Sequence, residues 1–89
     1  MAQLHFTSWL RELVPDGPLQ AAGGTVGDAL GQVLAERPHV RGYLLDEQGR
    51  LRKHVCIFAD GRRLPHQAAL GHAIGKDAKL YVMQALSGG

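Results

Sequence analysis

The last three residues, Ser87-Gly88-Gly89, are the ones whose types and position best suit chemistry. Glycine has no Cβ, so a terminal glycine carboxylate fits a narrow channel and leaves its carbonyl carbon open to attack. A carboxylate is a poor electrophile because its charge is delocalised, and it reacts only after activation, for example as an acyl adenylate. Terminal glycines are also common in frayed chain ends without function. Composition alone therefore leaves both interpretations open.

The other groups that could do chemistry have simpler explanations. Cys56 is the only cysteine, and within an apolar strand it is expected to be buried and inert rather than a nucleophile. The five histidines include no pair at a metal-binding spacing, so no metal site is predicted. Gly23-Gly24 lies ahead of a helix but lacks the Lys-Ser/Thr pair of a phosphate-binding loop. No catalytic residue is predicted.

Composition limits the class of protein. Eighty-nine residues, 45% of them hydrophobic and 20% charged, are typical of one small soluble domain with little room for a deep enzyme cleft. The net charge is +2, and the basic residues at 50–53 and 62–63 are expected to be solvated or to face an acidic protein partner, not nucleic acid. No apolar run approaches the roughly 20 residues that cross a bilayer, and the N-terminus shows no export signal. We expect a cytoplasmic protein without a membrane partner.

Hydrophobic periodicity predicts the elements that hold the chain end. In residues 26–37 the apolar side chains fall at helical spacing, Thr25 and Asp28 match a helix-capping pattern, and Pro38 ends the helix. Strands are expected at residues 3–8, 19–22, 54–60, 62–64 and 79–86. A helical turn is expected at 9–14, and a hairpin turn at Asp60-Gly61. The stretch 39–53 is polar and turn-rich, with a chain reversal expected at 46–49.

This order predicts an α+β fold, a mixed sheet of four to five strands packed on one main helix. One domain is expected over residues 1–86, with a flexible tail at 87–89. In the last strand, Leu80 and Val82 are expected to face the core, and Tyr81 and Met83 the other side.

Four segments carry a family resemblance. They are LREL at 10–13, TVGDAL at 25–30, LRKHVCIF at 51–58 with the Asp60-Gly61 turn, and KLYVMQALSGG at 79–89. In this order, and over nearly the whole chain, they resemble the ubiquitin-like (β-grasp) sulfur carrier proteins of the MoaD/ThiS family. The diglycine end at its distance from the last strand is the most specific of the four. Cys56 stands where many members have Asn, and Gln84 where Pro is frequent.

The resemblance implies a carrier that is not itself an enzyme and binds no cofactor. An E1-like activating enzyme of the MoeB/ThiF type would use ATP to adenylate the carboxylate of Gly89, with Gly88 giving it access. A sulfur donor such as a cysteine desulfurase or a rhodanese would then displace AMP and leave a thiocarboxylate. An acceptor enzyme would take this sulfur in cofactor, cysteine or other metabolite biosynthesis.

Docking of these partners is expected on the sheet face beside the tail. Phe58, Tyr81, Met83 and Leu86 are the partner-binding residues predicted there, since methionine suits adaptable surfaces. The alternative is that some of them belong to the core, because a register shift of one residue exchanges the two faces of a strand.

Two other functions stay open at this stage. A ubiquitin-like modifier would use the same adenylated tail to form amides with lysines of other proteins. A β-grasp binding module would carry the diglycine by accident.

Overall fold

The computed structural model describes residues 1–7, 10–15 and 17–84. The elements of this part are β1 (Ala2–Phe6), α1 (Leu10–Leu13), β2 (Leu19–Ala21), α2 (Val26–Ala35), α3 (Pro38–Leu44), β3 (Val55–Ala59), β4 (Arg62–Arg63), a 3₁₀ turn (His66–Ala68) and β5 (Lys79–Gln84). None of the helices among these residues is long and apolar enough to cross a membrane.

The five strands of the described residues form one mixed sheet in the order β2-β1-β5-β3-β4. The last strand, β5, lies in the centre, parallel to β1 and antiparallel to β3. The two edges are short hairpin partners, β2 on β1 and β4 on β3. The predicted α+β fold with a mixed sheet is thus confirmed.

One face of the sheet builds the core. Inward residues alternate with half-buried ones along β1 and β3, and Leu80 and Val82 of β5 are 0% and 1% exposed, as predicted. Helix α2 adds its apolar stripe to the same core; the buried residues of the stripe are Val26, Ala29, Leu30, Val33 and Leu34. Each fully buried Leu or Val contributes about 1.5–3 kcal/mol of transfer free energy, so this layer supplies the main favourable term of folding.

Helix α2 starts where the capping pattern predicts. Thr25 is extended (φ −134°), and its Oγ1 accepts the N–H of Asp28 at 3.1 Å. The helix ends at Ala35, two residues before the predicted limit. Pro38 explains the difference, because it disfavours the helical conformation of the residue before it, and Arg37 has φ −136° and ψ 65°.

The prediction of an irregular stretch at 39–53 is wrong for its first part, which is helix α3. Proline is favourable in the first turn of a helix, and Pro38 stands there. Val40 and Leu44, four residues apart, are both fully buried against the core. The expected reversal follows, with Gly49 at φ 80° and an isolated bridge between Leu45 and Leu51.

The hairpin signal is confirmed. Asp60 (φ 51°) and Gly61 (φ 87°) both have positive φ, the geometry that joins β3 tightly to β4. The limits of the other strands differ from the prediction by one or two residues. Part of the predicted strands at 3–8 and 79–86, part of the turn at 9–14, and the whole predicted tail lie outside the described residues.

Candidate docking face and carrier end

The face of the sheet opposite the core carries a row of rings. Register pairs His5 of β1 with Tyr81 of β5, Tyr81 with Phe58 of β3, and Phe58 with Arg63 of β4. The His5 and Tyr81 rings stack, with centroids 4.5 Å apart and planes 14° from parallel. The three rings are half-buried and lie outside the hydrophobic core. We call this side of the sheet the open face.

Met83 lies two residues further along β5 on the same face. Its register partner is Cys56, and both side chains are half-buried. The structure therefore brings together Phe58, Tyr81 and Met83, three of the four predicted partner-binding residues. Their role in binding a partner stays a prediction.

The expectation that Cys56 is buried is wrong. The inward positions of β3 belong to Val55 and Ile57, at 1% and 0% exposure, so strand alternation places Cys56 on the open face.

The prediction did not single out His5 or Gln3. His5 stacks on Tyr81 on one side of its ring, and its Nε2 lies 3.4 Å from Oε1 of Gln3. Along β1, Gln3 and His5 alternate with apolar residues, so the sequence indicates that both lie on the side of the sheet opposite the core. Their position beside β5 follows only from the parallel pairing of two strands that are separated by most of the chain.

Cations lie at the margin of the open face. Arg63 is the exposed register partner of Phe58, and exposed Lys79 is the register partner of Gln3. The nearby carboxylate of Asp60 is occupied, since its Oδ1 accepts the backbone N–H of Lys79 at 3.0 Å. A half-buried aromatic centre with a cationic margin fits a partner surface that is apolar in the middle and acidic at its edge.

The described part of β5 ends beside Met83 of the open face. Gln84, the last described residue, is the register partner of Val55, the first residue of β3. Five residues follow it in the sequence, and an extended segment of that length spans at most about 17 Å. The predicted site residues Leu86, Gly88 and Gly89 lie outside the described residues.

No group of three or more His, Cys, Asp or Glu side chains arranged to hold a metal ion occurs within residues 1–7, 10–15 and 17–84.

A β-hairpin, a helix across the sheet and a final strand parallel to the first define the β-grasp fold of ubiquitin-like proteins. Comparison with solved structures agrees. SAMP1, the small archaeal modifier protein 1 of Methanosarcina acetivorans, aligns with a TM-score of 0.84 and 20% identity, over 99% of this chain and 95% of that chain. A chain of the BexX/CysO complex of Amycolatopsis orientalis aligns with a TM-score of 0.84 and 17% identity, over 100% of both chains.

CysO of Mycobacterium tuberculosis aligns with a TM-score of 0.81 and 19% identity, over 97% of this chain and 100% of that chain. No protein-family model and no curated protein matches the chain by sequence. At these identities the similarity shows the fold. The predicted likeness to ubiquitin-like β-grasp proteins is confirmed to that extent.

Proposed function

We propose that the chain is a sulfur carrier whose C-terminal Gly89 carboxylate is adenylated by an E1-like enzyme and converted to a thiocarboxylate. The observation that carries the proposal is the position of β5. This central strand is described as far as Gln84, next to Met83 of the open aromatic face, and the Ser-Gly-Gly end follows two residues later in the sequence. A partner seated on that face would lie beside the strand that leads into this end.

The chemistry needs no acid or base from the carrier. An oxygen of the Gly89 carboxylate attacks the α-phosphorus of ATP, and pyrophosphate leaves. Hydrosulfide, or the terminal sulfur of a donor's persulfide, then attacks the carbonyl carbon, and AMP leaves. With a persulfide donor, a thiol must reduce the resulting S–S bond to release the thiocarboxylate. Orientation and charge stabilisation come from the activating enzyme.

The partners follow from these steps. They are an activating enzyme of the MoeB/ThiF type that consumes ATP, a sulfur donor such as a cysteine desulfurase or rhodanese, and an acceptor enzyme of cofactor, cysteine or other metabolite biosynthesis. In this proposal the chain is their co-substrate and holds no cofactor of its own. Its single cysteine fits a reducing, cytoplasmic setting.

On the carrier side, docking uses Phe58, Tyr81 and Met83, with Leu86 next to the reactive end. A stacked or partly packed ring is already restricted, so a partner covering the face loses little side-chain entropy there. Gly88 and Gly89 then enter the nucleotide site, where a Cβ would be in the way.

A second candidate is a ubiquitin-like modifier that forms an amide with lysines of other proteins. One observation favours it, the close structural similarity to SAMP1, which is named a modifier protein. The modifier would use the same acyl adenylate, and the Gly89 acyl group would be transferred to a lysine amine in place of a sulfur nucleophile.

Intact-mass analysis separates these candidates. The purified chain is incubated with an E1-like enzyme, ATP and sulfide, and the carrier function gives replacement of one oxygen by sulfur at Gly89. The Cys56→Ser variant is the matched control, because a persulfide on Cys56 would add a sulfur atom without removing oxygen. Sulfur exchange that persists in this variant and disappears when Gly89 is deleted supports the carrier. Adenylation followed only by lysine conjugates would favour the modifier.

A further inference from the structure

A cavity lies away from the open face, between the 45–51 reversal and the 3₁₀ turn at His66–Ala68. Its volume is about 420 Å³, within the range of small binding sites. Leu51, 6% exposed, and half-buried Leu70, which packs on the core, supply its apolar surface. Polar side chains of Lys53 and Gln67 complete the lining. A cavity with this lining suits a ligand that is partly apolar and partly polar.

The first wall is held by Asp46. Its Oδ1 accepts the backbone N–H groups of Gln48 and Arg50, both at 2.9 Å, and its Oδ2 accepts Nε of Arg50 at 3.3 Å. These contacts, the backbone N–H of Arg50 above all, keep the pKa of Asp46 below its ordinary value. The Asp46 carboxylate, which lines the cavity, is therefore already occupied by donors of its own loop.

The second wall is held by His66. Its Nε2 lies 2.8 Å from the carbonyl oxygen of Arg52. A carbonyl oxygen only accepts, so Nε2 carries the proton and Nδ1 is left for another contact. Arg52 is itself fixed, because its Nε donates to the carbonyl oxygen of Gly42 at 2.8 Å. Both walls are thus tied to the fold before any ligand arrives, which lowers the ordering cost of binding.

The stretch of sequence that contributes Lys53 to the cavity is rich in cations. Residues 50–63 contain five of the ten Lys and Arg residues of the chain and one of its eight Asp and Glu residues. That acid, Asp60, faces the N–H of Lys79. Lys53 is exposed and has no ion pair or hydrogen bond within the described parts of the chain, and the same holds for the Gln67 side chain. Because Arg50 in the lining pairs with Asp46, the ammonium group of Lys53 is the lining charge that attracts an anion.

We propose that this cavity binds a segment of a protein partner in which an Asp or Glu adjoins an apolar residue. The apolar side chain lies on Leu51 and Leu70, and the carboxylate contacts the Lys53 ammonium group and the Gln67 amide.

Two observations favour a protein partner over a small molecule. The lining residues Lys53, His66 and Gln67 are exposed, so the cavity opens at the surface, where a segment of a protein can enter it. Lys53 also lies two residues before Val55, the register partner of Gln84, so a partner bound here would lie near the last described residue of β5. The inference does not require the proposed function.

The test uses the full chain labelled with ¹⁵N and titrated with N-acetyl-Leu-Glu-amide. We expect millimolar binding, with amide shifts concentrated at residues 51, 67 and 70. N-acetyl-Leu-Gln-amide, which lacks the charge, and N-acetyl-Ala-Glu-amide, which lacks the large apolar group, are both expected to bind more weakly. Equal binding of all three peptides would overturn the proposal, as would the absence of localised shifts.

Lys53→Gln and Arg63→Gln form a matched pair of variants, since both remove one exposed positive charge. Lys53→Gln should weaken peptide binding about twofold to fivefold, as expected for one exposed ion pair, and Arg63→Gln should have little effect on so short a peptide. Equal weakening by both variants would mean diffuse attraction with no site. The last titration uses inorganic phosphate. If phosphate shifts the amide signals of the cavity residues and the peptide does not, the cavity is a general anion site and the proposal is wrong.

Discussion

Among the described residues, Met83 is the residue of the open face nearest to the end of β5, and the proposed carrier end follows that strand in the sequence. Met83 is half-buried beside Cys56, and it lies outside the core. Phe58 and Tyr81 extend the same surface toward the cations at its margin. In protein interfaces most of the binding free energy comes from a few such large side chains near the centre.

Met83→Glu is the substitution that tests docking. We expect the KM of the activating enzyme for the carrier to rise about tenfold or more, with kcat little changed, because a buried charge replaces an apolar contact made in both ground and transition states. Ala35→Glu adds the same charge at an exposed position of α2, on the other side of the sheet, and serves as the control. Adenylation kinetics by pyrophosphate release measure both variants. An equal rise in KM for the two would contradict a role of Met83 in docking.

Asp46 gives a residue-scale prediction on pH. Its pKa is lowered in the folded chain relative to the ordinary value of 3.8, so the folded state favours the charged form. The stabilising effect is present above the unfolded-state pKa and is lost as the pH falls through the lower folded-state pKa. Asp46→Asn should therefore lower the free energy of unfolding near neutral pH. In urea titrations well below pH 3.8, the variant and the parent should converge. A difference independent of pH would contradict this account.

Helix α2 contains two glycines, Gly27 and Gly31, whose different surroundings give them different roles in the fold. Gly27 donates its N–H to the Leu70 carbonyl oxygen at 2.8 Å, and a Cβ at position 27 would lie 2.9 Å from that oxygen. Gly31, one turn later, has open space where its Cβ would be. The first glycine therefore permits the close approach of the 66–72 segment that holds one wall of the cavity, and the second has no such role.

Gly27→Ala and Gly31→Ala are consequently expected to change the free energy of unfolding in opposite directions. Gly31→Ala should stabilise the fold by about 0.5–1 kcal/mol through higher helix propensity. Gly27→Ala should destabilise it by about 1–3 kcal/mol, since the backbone at Leu70 must move. Urea unfolding of the two variants measures both changes. If both variants gain stability, the 27–70 contact does not restrain the fold.

At the scale of the whole molecule, the proposed function assigns docking and reaction to different residues. Strands on both sides of β5 contribute to the open face, and the proposed reactive end follows β5 in the sequence. The cavity is lined by none of the open-face residues, so the two proposals leave room for two partners on one small domain. In this arrangement a change at the extreme end should alter the reaction without altering the docking.

One residue added after Gly89 tests that separation. Sulfur incorporation should fall by about 100-fold or more, because displacing the carboxylate by even one ångström from its reacting position is costly. The extended chain should still compete with the parent for the activating enzyme, with an inhibition constant within about threefold of the parent's KM, since the open face is unchanged. Loss of competition together with reaction would show that the end also contributes to docking.

The sequence alone determined the local features. The capping pattern at Thr25, the apolar stripe of α2 and the Asp60-Gly61 turn depend on neighbours within a few residues, and all three are confirmed. Alternation in β5 likewise separated Leu80 and Val82 from the other face. Helix α3 was missed because only two of its residues, Val40 and Leu44, are buried apolar residues at helical spacing.

Only the tertiary structure decided which distant residues meet. The parallel pairing of β1 with β5 places His5 on Tyr81, and the antiparallel pairing with β3 places Cys56 beside Met83. The same is true of the cavity, where His66 reaches the carbonyl group of Arg52. Sequence periodicity reports which side of its own strand a residue occupies. It carries no information on the neighbouring strand, because that choice depends on how the whole chain buries its apolar faces together.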